Sequence, residues 1–276
     1  MSTDTENTTD LAVPSSLPAH LQNAISHKES TGLEEMGNYI VPPRLKIIQD
    51  KKDDKYESFA SGDMIVVPQL EKLCSKGEPF QFTVLYTFDE FCVHNPYQLR
   101  ASLPMIRERT IDPKSDLAEK ARNMITEPCP ENLEHEIKYV THLNFLIAVH
   151  GIESLKGIEL LVSFHLGEFK TGQGLLNLLR MRSNGGIPIY GHVLSAHSAK
   201  HSGGGFNWMG LDISNPSAEY IDAGGSQYVT DEDLYNSFEA AHNEAKANKS
   251  RIQADYGDAD AVADAANVDA PESDTL

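Results

Sequence analysis

The chain has 276 residues, enough for one large domain or two small ones, and its 23 basic and 41 acidic residues give a formal net charge of −18 at pH 7. Taken alone, this charge argues against a nucleic-acid-binding protein, because contacts to phosphates require local positive charge. No run of about 18 apolar residues is present, which excludes a membrane-spanning helix, the first ten residues lack the pattern of a signal peptide, and the widely spaced Cys74, Cys92 and Cys129 indicate free thiols in a reducing cytoplasm.

Most of the negative charge lies in the two flanks of the chain. Residues 1–35 contain six acids and one lysine (−5), and residues 252–276 contain seven acids and no base (−7), so the flanks hold −12 of the −18. Both flanks have too few large apolar residues to offset the entropy cost of ordering. We therefore predict a flexible acidic N-terminal arm at 1–35, a single globular β-rich domain at 36–251 that ends in a helix, and a disordered acidic C-terminal tail at 252–276.

The first part of the domain is typical of short strands. "RLKIIQ" (44–49) alternates as an edge strand does, and "MIVVPQL" (64–70) predicts a second strand. "EPFQFTVLYTF" (78–88) is the clearest strand pattern in the chain. Strict alternation places five large residues of this strand on one face: Phe80, Phe82, Val84, Tyr86 and Phe88.

The middle of the domain begins irregularly and then becomes regular. Residues 94–113 predict a long loop or strand that carries bases, and "KSDLAEKARNMI" (114–125) predicts a short helix. "KYVTHLNFLIAVHG" (138–151) and "GIELLVSFHLG" (157–167) are strong strand patterns. Their spacing predicts an antiparallel pair joined by a turn.

The last part of the domain predicts a helix, a hairpin and a final helix. "GQGLLNLLRMR" (172–182) indicates a helix. The patterns at 187–199 and 206–214 bracket a glycine-rich stretch, which predicts a hairpin with a mobile tip. Thr230 is the expected N-cap of the closing helix, because acids follow it and a regular apolar stripe begins.

These patterns predict an α+β fold that is mainly β, with helices added to a sheet or barrel of antiparallel strands. A five-stranded Greek-key barrel of the oligonucleotide-binding (OB) type is compatible with the short strands, the hairpins and the inserted helix. Another antiparallel α+β sheet fits the same patterns, so both architectures stay open.

No motif indicates an enzyme, so we predict no catalytic residue, no cofactor and no metal. The G-x-G at 172–174 lacks the G-K-[ST] of a phosphate-binding loop, and no G-x-S-x-G is present. His197 and His201 are four residues apart, but they lie in a predicted strand without an adjacent glutamate. Glu168 and Lys170 are typical of a surface ion pair. A metal-dependent enzyme built on the histidines is the weakest alternative; the predicted structural histidines are His135, His142, His150 and His165.

A protein that binds single-stranded nucleic acid needs cations along a groove and exposed rings on which bases stack. The middle of the chain interleaves cationic and aromatic residues. Besides the residues predicted to bind nucleic acid, which are given below, the same stretches of sequence contain Phe91, Arg109, Phe169 and Lys200. Trp208, in a glycine-rich segment, is the best single candidate for stacking, whereas Arg180 and Arg182 equally suit a helix C-terminus. The predicted nucleic-acid-binding residues are Arg44, Lys46, Tyr86, Phe88, Tyr97, Arg100, Arg107, Lys170, Arg180, Arg182, Tyr190, Phe206 and Trp208.

The acidic tail acquires a role if the domain has a basic groove. A flexible polyanion on a linker of about 25 residues competes for that groove at an effective concentration on the order of millimolar. Bound DNA would release the tail to meet partner proteins; the alternative is that the tail only increases solubility. The residues expected to act in this way are Asp255, Asp258, Asp260, Asp264, Asp269, Glu272 and Asp274.

Three parts of the chain resemble bacteriophage single-stranded DNA-binding proteins: "PPRLKIIQ", "GEFKTGQGLLNLLRMRSNGGIPIYGH" and the closing helix with its acidic tail. The resemblance implies an OB-type core that binds single-stranded DNA during replication or recombination in the host cytoplasm. It also implies that the tail recruits replication or recombination proteins, and that the chain can form a homo-oligomer. Many such proteins end in an aromatic residue, whereas this chain ends in Leu276.

A second hypothesis is an acidic phage structural or host-inhibitor protein that binds protein and not DNA. The negative charge of the domain and of the N-terminal arm fits this class. The absence of a continuous basic groove on the folded surface would favour it over DNA binding.

Overall fold

Ten strands build one large sheet, and helices pack on both of its faces. The structure is a computed structural model, and it describes residues 41–50, 54–99, 102–203, 205–249 and 252. The predicted N-terminal arm, the acidic residues of the predicted tail and the predicted DNA-binding residue Arg100 lie outside the described residues.

The strands follow the sequence patterns of alternating or continuous apolar residues. In chain order they are β1 (Arg44–Ile47), β2 (Met64–Val67), β3 (Glu71–Cys74), β4 (Phe80–His94), β5 (Ile106–Thr110), β6 (Thr126–Cys129), β7 (Asn132–Val149), β8 (Glu159–Phe164), β9 (Leu194–Gly203) and β10 (Phe206–Ser214). Hairpins join β7 to β8 and β9 to β10, as predicted.

The α-helices of the described residues are α1 (Asp116–Arg122), α2 (Phe169–Arg182), α3 (Ala218–Asp222) and α4 (Glu232–Ala247). Side-chain oxygens of Ser115, Ser217 and Asp231 accept a hydrogen bond from the first turn of α1, α3 and α4. The prediction of Thr230 as an N-cap is therefore wrong by one residue, because the Asp231 carboxylate binds the backbone N–H of Leu234. None of the described helices has the length and apolar character needed to cross a membrane.

The strand order is β10-β9-β4-β7-β8-β1-β2-β3, with β5 paired to β4 and β6 paired to β7. All pairs are antiparallel except β1 with β8, so the sheet is mixed. The predicted α+β, mainly-β class is confirmed. The prediction of β1 as an edge strand is wrong, because β1 pairs with β8 on one side and with β2 on the other.

Four of these strands have a Greek-key order, since β4, β7 and β8 are neighbours in the sheet and β9 returns to lie beside β4; β5 and β6 are inserted between β4 and β7 in the chain. The long connection before β9 contains α2. The β9–β10 hairpin pairs with β4 only at Phe80–Phe82.

The two ends of the sheet approach each other without forming a strand ladder. Gln49, just after β1, uses its side-chain amide to donate to the carbonyl of Met209 on β10 (2.8 Å) and to accept from the Met209 N–H (2.8 Å). The Ser198 hydroxyl on β9 donates to the carbonyl of Gly62 (2.5 Å) and accepts from the N–H of Gly77 (3.4 Å). Side chains therefore bridge the gap between the curled ends.

The main hydrophobic core lies inside the curled sheet, where Leu175 and Leu179 of α2 pack against it. The inner positions of β2, β4, β7, β8 and β9 supply most of this core. Its largest fully buried members are Met64, Phe82, Phe145, Ile147, Leu160 and Leu194.

A β-bulge in β4 changes which face its side chains occupy. The register with β7 shifts between Val84 and Tyr86, so Tyr86 lies opposite Leu146 and not on the core face. Phe80, Phe82 and Val84 belong to the inner core, as predicted. The prediction that Tyr86 and Phe88 share that face is wrong. Both pack on the outer face, in a separate cluster with Leu146, Leu161 and Ala245 of α4.

Two helices cover further parts of the sheet. α1 packs Leu117, Ala118 and Ala121 against Phe91 and Val93, in the half of β4 beyond the bulge. The N-terminal part of α4 packs on the outer face near Leu85 and Tyr190. Beyond the end of α4, the outer face of the central strands carries polar side chains.

We expect Gly172→Ala in α2 to lower the free energy of unfolding by about 1–3 kcal/mol, the usual cost of overpacking. A Cβ at this position would lie 2.8 Å from Cβ of Phe164 and 3.1 Å from Cδ1 of Leu143. Urea unfolding of the purified variant measures the effect.

The matched control is Gly174→Ala in the same helix, where nothing lies within 4 Å of the added Cβ. Alanine there should raise stability by about 0.5–1 kcal/mol through helix propensity and reduced freedom of the unfolded chain. Equal effects of the two substitutions would contradict the packing of α2 described above.

Candidate nucleic-acid interface

The outer face of β4, β7 and β8 carries a cluster of buried and half-buried polar side chains, which we call the outer-face cluster: Glu90, Cys92, His94, His142, Asn144, Ser163 and His165. Beyond the bulge, alternation points Glu90, Cys92 and His94 to this face. The register places His142 opposite Glu90, and Asn144 opposite Ser163. Directly opposite residues share a face, so three strands deliver these groups to one place.

The histidines of the outer-face cluster contact one another closely. Nε2 of His94 and Nε2 of His142 are 2.8 Å apart, a hydrogen bond in which one ring donates and the other accepts. The rings of His142 and His165 stack, with centroids 4.2 Å apart and planes 12° apart. Nδ1 of His142 lies 3.5 Å from the Ser163 hydroxyl.

Burial favours the neutral forms of two members of this cluster. It lowers the pKa of His142 well below the ordinary value, and the neighbouring His165, His94 and Arg44 act in the same direction. Burial also raises the pKa of Cys92 well above that of a free thiol. His142 is therefore a neutral imidazole and Cys92 a protonated thiol near pH 7.

Cations surround the outer-face cluster. Arg44 and Lys46 point outward from β1, since Leu45 and Ile47 pack on the inner core. Arg109 of β5 lies opposite Cys92, and its Nη1 is 3.7 Å from the Glu90 carboxylate. The positive charge of this face thus comes from strands that lie on both sides of the cluster.

Two of the predicted cations already have partners within the protein. Arg107 forms a two-pronged ion pair with Glu131 (2.7 and 2.5 Å), and the side-chain hydrogen bond lowers the pKa of Glu131 to about 2. Lys46 lies over the ring of Tyr56, with its Nζ 4.9 Å from the ring centroid.

A cavity of about 380 Å³ opens beside the outer-face cluster, and its wall includes His94. The predicted residue Tyr97, which is half-buried, lies in this wall together with Lys138. Glu134 and Glu136 also line the cavity, so the site offers an aromatic ring, a cation and two acids.

A second group of predicted residues lies on the β9–β10 hairpin and on α2, where Lys170 and Arg180 are exposed. Phe206 and Trp208 are half-buried near the hairpin turn. The Trp208 indole N–H donates to the Glu168 carboxylate, so its polar edge is held by the protein.

Glu168 also takes part in a chain of charged groups centred on His201. Nδ1 of His201 is 3.0 Å from the Glu168 carboxylate, and Nε2 is 2.9 Å from the Asp212 carboxylate. Both ring nitrogens are thus used, which leaves neither for a metal shared with His197. Burial lowers the pKa of His201, but the bonds to Asp212 and Glu168 outweigh it, and the net shift is upward.

Four predicted residues have structural environments that differ from the exposed groove expected from the sequence. Phe88 is buried, and Tyr86 is half-buried against it. Tyr190 is buried and donates to Glu239 (3.1 Å). Arg182 donates to the carbonyls of Val193 (2.9 Å) and Gln227 (2.5 Å), so it joins α2 to two other segments.

The structure therefore divides the predicted residues between two regions. Arg44, Lys46 and Tyr97 lie on or beside the outer-face cluster, whereas Lys170, Phe206 and Trp208 lie on α2 and the hairpin. Arg107 lies apart from the cluster, against Asn95 and Glu131. Sequence reasoning missed Lys138 and the side chains of the cluster itself. The only local signal was the spacing of Glu90, Cys92 and His94 at every second position of a strand.

We expect the contribution of His201 to stability to depend on pH. The folded-state pKa is raised above the unfolded value of 6.5, so the contribution is fully present below pH 6.5 and is lost as pH rises through the folded pKa. The free energy of unfolding of the wild type, compared with that of His201→Gln across this range, measures the loss.

A His197→Gln variant serves as the control, because Nε2 of His197 is 3.9 Å from Asp212 and has no second carboxylate. The difference between the wild type and His201→Gln should shrink with rising pH. A difference that grows with pH would show that His201 is not held as an imidazolium by Glu168 and Asp212.

Comparisons with known proteins assign no family to the chain. No protein-family model matches the sequence, and neither the curated proteins nor the solved structures provide a significant match. The function must therefore be inferred from the geometry of the chain itself.

Proposed function

We propose that the protein binds single-stranded DNA on the outer face of β7 and β8, as a non-catalytic protein of DNA replication or recombination. The observation that carries the proposal is the combination of a Greek key with a cation-bearing outer face. β4, β7, β8, β9 and β10 supply five strands in the order β10-β9-β4-β7-β8, with α2 before the fourth. A five-stranded, partly open Greek-key barrel is the architecture of the OB fold.

In OB folds, oligonucleotides bind on the face of the second and third strands and on the loops between strands one and two and between strands four and five. In this chain those strands are β7 and β8. The corresponding loops are the connection from β4 to β7, which contains Tyr97 and Arg107, and the turn from β9 to β10, which precedes Phe206 and Trp208.

The chemistry of these regions fits an unstructured polyanion. Arg44, Lys46, Arg109 and Lys138 supply positive charge from three strands on the face. The ring of Tyr97 lies in the first loop, and those of Phe206 and Trp208 lie at the start of β10, directly after the second. Because Arg107 and Arg109 are paired with acids, phosphates would have to replace carboxylates at these two positions. Such exchange makes binding moderate in strength and sensitive to salt.

The acidic tail is part of the same proposal. A tethered polyanion competes with DNA for the cations of the outer face, and DNA binding makes the tail accessible to replication or recombination proteins. This competition reconciles a net charge of −18 with the binding of an anion.

Titration of the full chain with oligothymidylate at several salt concentrations tests the proposal. We expect binding at low salt, a steep loss of affinity with salt, and a change in the fluorescence of Trp208, the only tryptophan. A chain truncated after Arg251 should bind more tightly if the tail competes. Lack of binding by both chains at low salt would refute DNA binding and favour the alternative, an acidic structural or inhibitor protein that binds protein.

We expect Lys138→Gln to weaken binding and to reduce the slope of log K against log salt by about 0.7, the effect of one phosphate contact on a single strand. Lys138 lies in the wall of the cavity beside the outer-face cluster. The same titration in the variant measures the slope.

The matched control is Lys156→Gln, in the turn between β7 and β8, where Lys156 is exposed and 4.0 Å from Glu153. This substitution removes the same charge from a different end of β7 and should leave the slope unchanged. Equal losses in the two variants would indicate a general charge effect and not binding at the outer face.

A further inference from the structure

We propose that Glu90, Cys92, His94 and His142 bind a zinc ion. The oxygen of Glu90, the sulfur of Cys92 and a ring nitrogen of His142 all lie within 4.8 Å of one another. Nε2 of His94 is 2.8 Å from Nε2 of His142. The proposal concerns a site that DNA binding does not require, so its test uses no DNA.

Strand geometry brings the four donors together. Glu90, Cys92 and His94 occupy alternate positions of β4, and His142 lies opposite Glu90 on β7. The three β4 side chains reach the outer face because the bulge between Val84 and Tyr86 has reversed the alternation of β4, and His142 reaches it by its register opposite Glu90. The site therefore rests on two adjacent, hydrogen-bonded strands, which is a more rigid support than a loop.

The types of donor atom at the site indicate which metal ion it would bind. One thiolate, two imidazoles and one carboxylate are the ligand types of zinc sites, whereas magnesium and calcium prefer oxygen alone. With Zn–N bonds of about 2.0–2.1 Å, tetrahedral geometry requires two nitrogens about 3.3 Å apart. The His94–His142 pair lies about 0.5 Å inside that separation, so a small ring movement admits the ion.

The charges of the four side chains also favour a divalent cation at this site. All four side chains are at most 4% exposed, and a buried charge must be paired. The Glu90 carboxylate and a Cys92 thiolate neutralise a divalent cation, and the two neutral imidazoles add no charge. Arg109, 3.7 Å from Glu90, then holds the carboxylate from outside the ligand shell.

The neighbours of His142 orient its ring for this role. Its Nδ1 faces the Ser163 hydroxyl at 3.5 Å, and its Nε2 is directed at His94. The His165 ring stacks on it with centroids 4.2 Å apart and restricts its rotation. Fixing the second nitrogen of a ligating histidine is a common feature of metal sites.

Binding is balanced by the loss of one proton. Cys92 gives up its thiol proton to solvent as the sulfur–metal bond forms. The proton shared between His94 and His142 moves to a ring Nδ1, so both Nε2 lone pairs face the metal and the histidines stay neutral. Metal binding should therefore release one proton and weaken at low pH.

Cobalt titration of the full chain, after removal of metals with a chelator, tests the site. We expect equimolar binding, with a thiolate-to-cobalt charge-transfer band in the near ultraviolet and the strong visible bands of tetrahedral cobalt. Zinc should displace the cobalt and abolish these bands. Absence of the charge-transfer band in the full chain, or cobalt binding without it, overturns the proposal.

Cysteine variants locate the sulfur ligand. Cys92→Ser should lose the charge-transfer band, whereas Cys74→Ser, which changes another buried free thiol, should retain it. Persistence of the band in Cys92→Ser, or its loss in Cys74→Ser with the fold intact by circular dichroism, overturns the assignment. His142→Gln should weaken cobalt binding by more than about 100-fold, the upper end of outer-shell effects.

If a variant of the outer-face cluster fails to fold, zinc binding by the wild-type protein still tests the proposal. Zinc should raise the thermal midpoint of the chelator-treated full chain, because it binds the folded state. The same experiment on Cys74→Ser should give an equal shift. No shift with zinc in either protein overturns the proposal.

Discussion

The extra residue in β4 is the constraint on which the rest of the molecule depends. Side chains alternate strictly along a strand, so one inserted residue transfers everything beyond it to the opposite face. Phe80 and Phe82 precede the bulge and build the core inside the curled sheet. Glu90 and His94 follow it and reach the outer face. A single strand thus contributes to both the hydrophobic interior and the candidate site.

The outer face combines two properties, buried polar groups and nearby positive charges, that both cost desolvation free energy. It buries polar groups, which must be hydrogen-bonded to offset desolvation, and it places arginines and lysines around them. His94 and His142 meet the first demand by hydrogen-bonding to each other. The Glu90 carboxylate of the outer-face cluster is paired with Arg109, so the remaining positive charge of the face comes from Arg44, Lys46 and Lys138. The candidate DNA surface and the proposed metal site therefore share the outer face, and both use Arg109.

Much of the secondary structure could be predicted, because strands β7 to β10 and helices α1, α2 and α4 are encoded by local periodicity. The bulge could not be predicted, since the residues around Val84 and Tyr86 alternate as they would in a regular strand. The partners of β1 were also beyond local patterns, because they depend on how distant segments pack.

The candidate site was predicted only in part, for a related reason. Arg44 and Tyr97 were recognised by residue type, and the structure places both near the outer-face cluster. Arg182 was recognised in the same way, yet its guanidinium bonds carbonyls of residues 193 and 227. The histidine cluster draws on three separate strands, so no single stretch of sequence reveals it.

The glutamine that spans the gap between the sheet ends has a consequence for local opening. One side-chain amide at Gln49 satisfies the backbone of Met209, and β9 meets β4 only at Phe80–Phe82. Beyond Ala196 the backbone ladder of β9 is formed with β10 alone, so this part of the hairpin is joined to the rest of the protein by side chains such as Gln49, Ser198 and Glu168. In an amide-exchange experiment its protons would be replaced by solvent deuterium well before those of the long β4–β7 ladder.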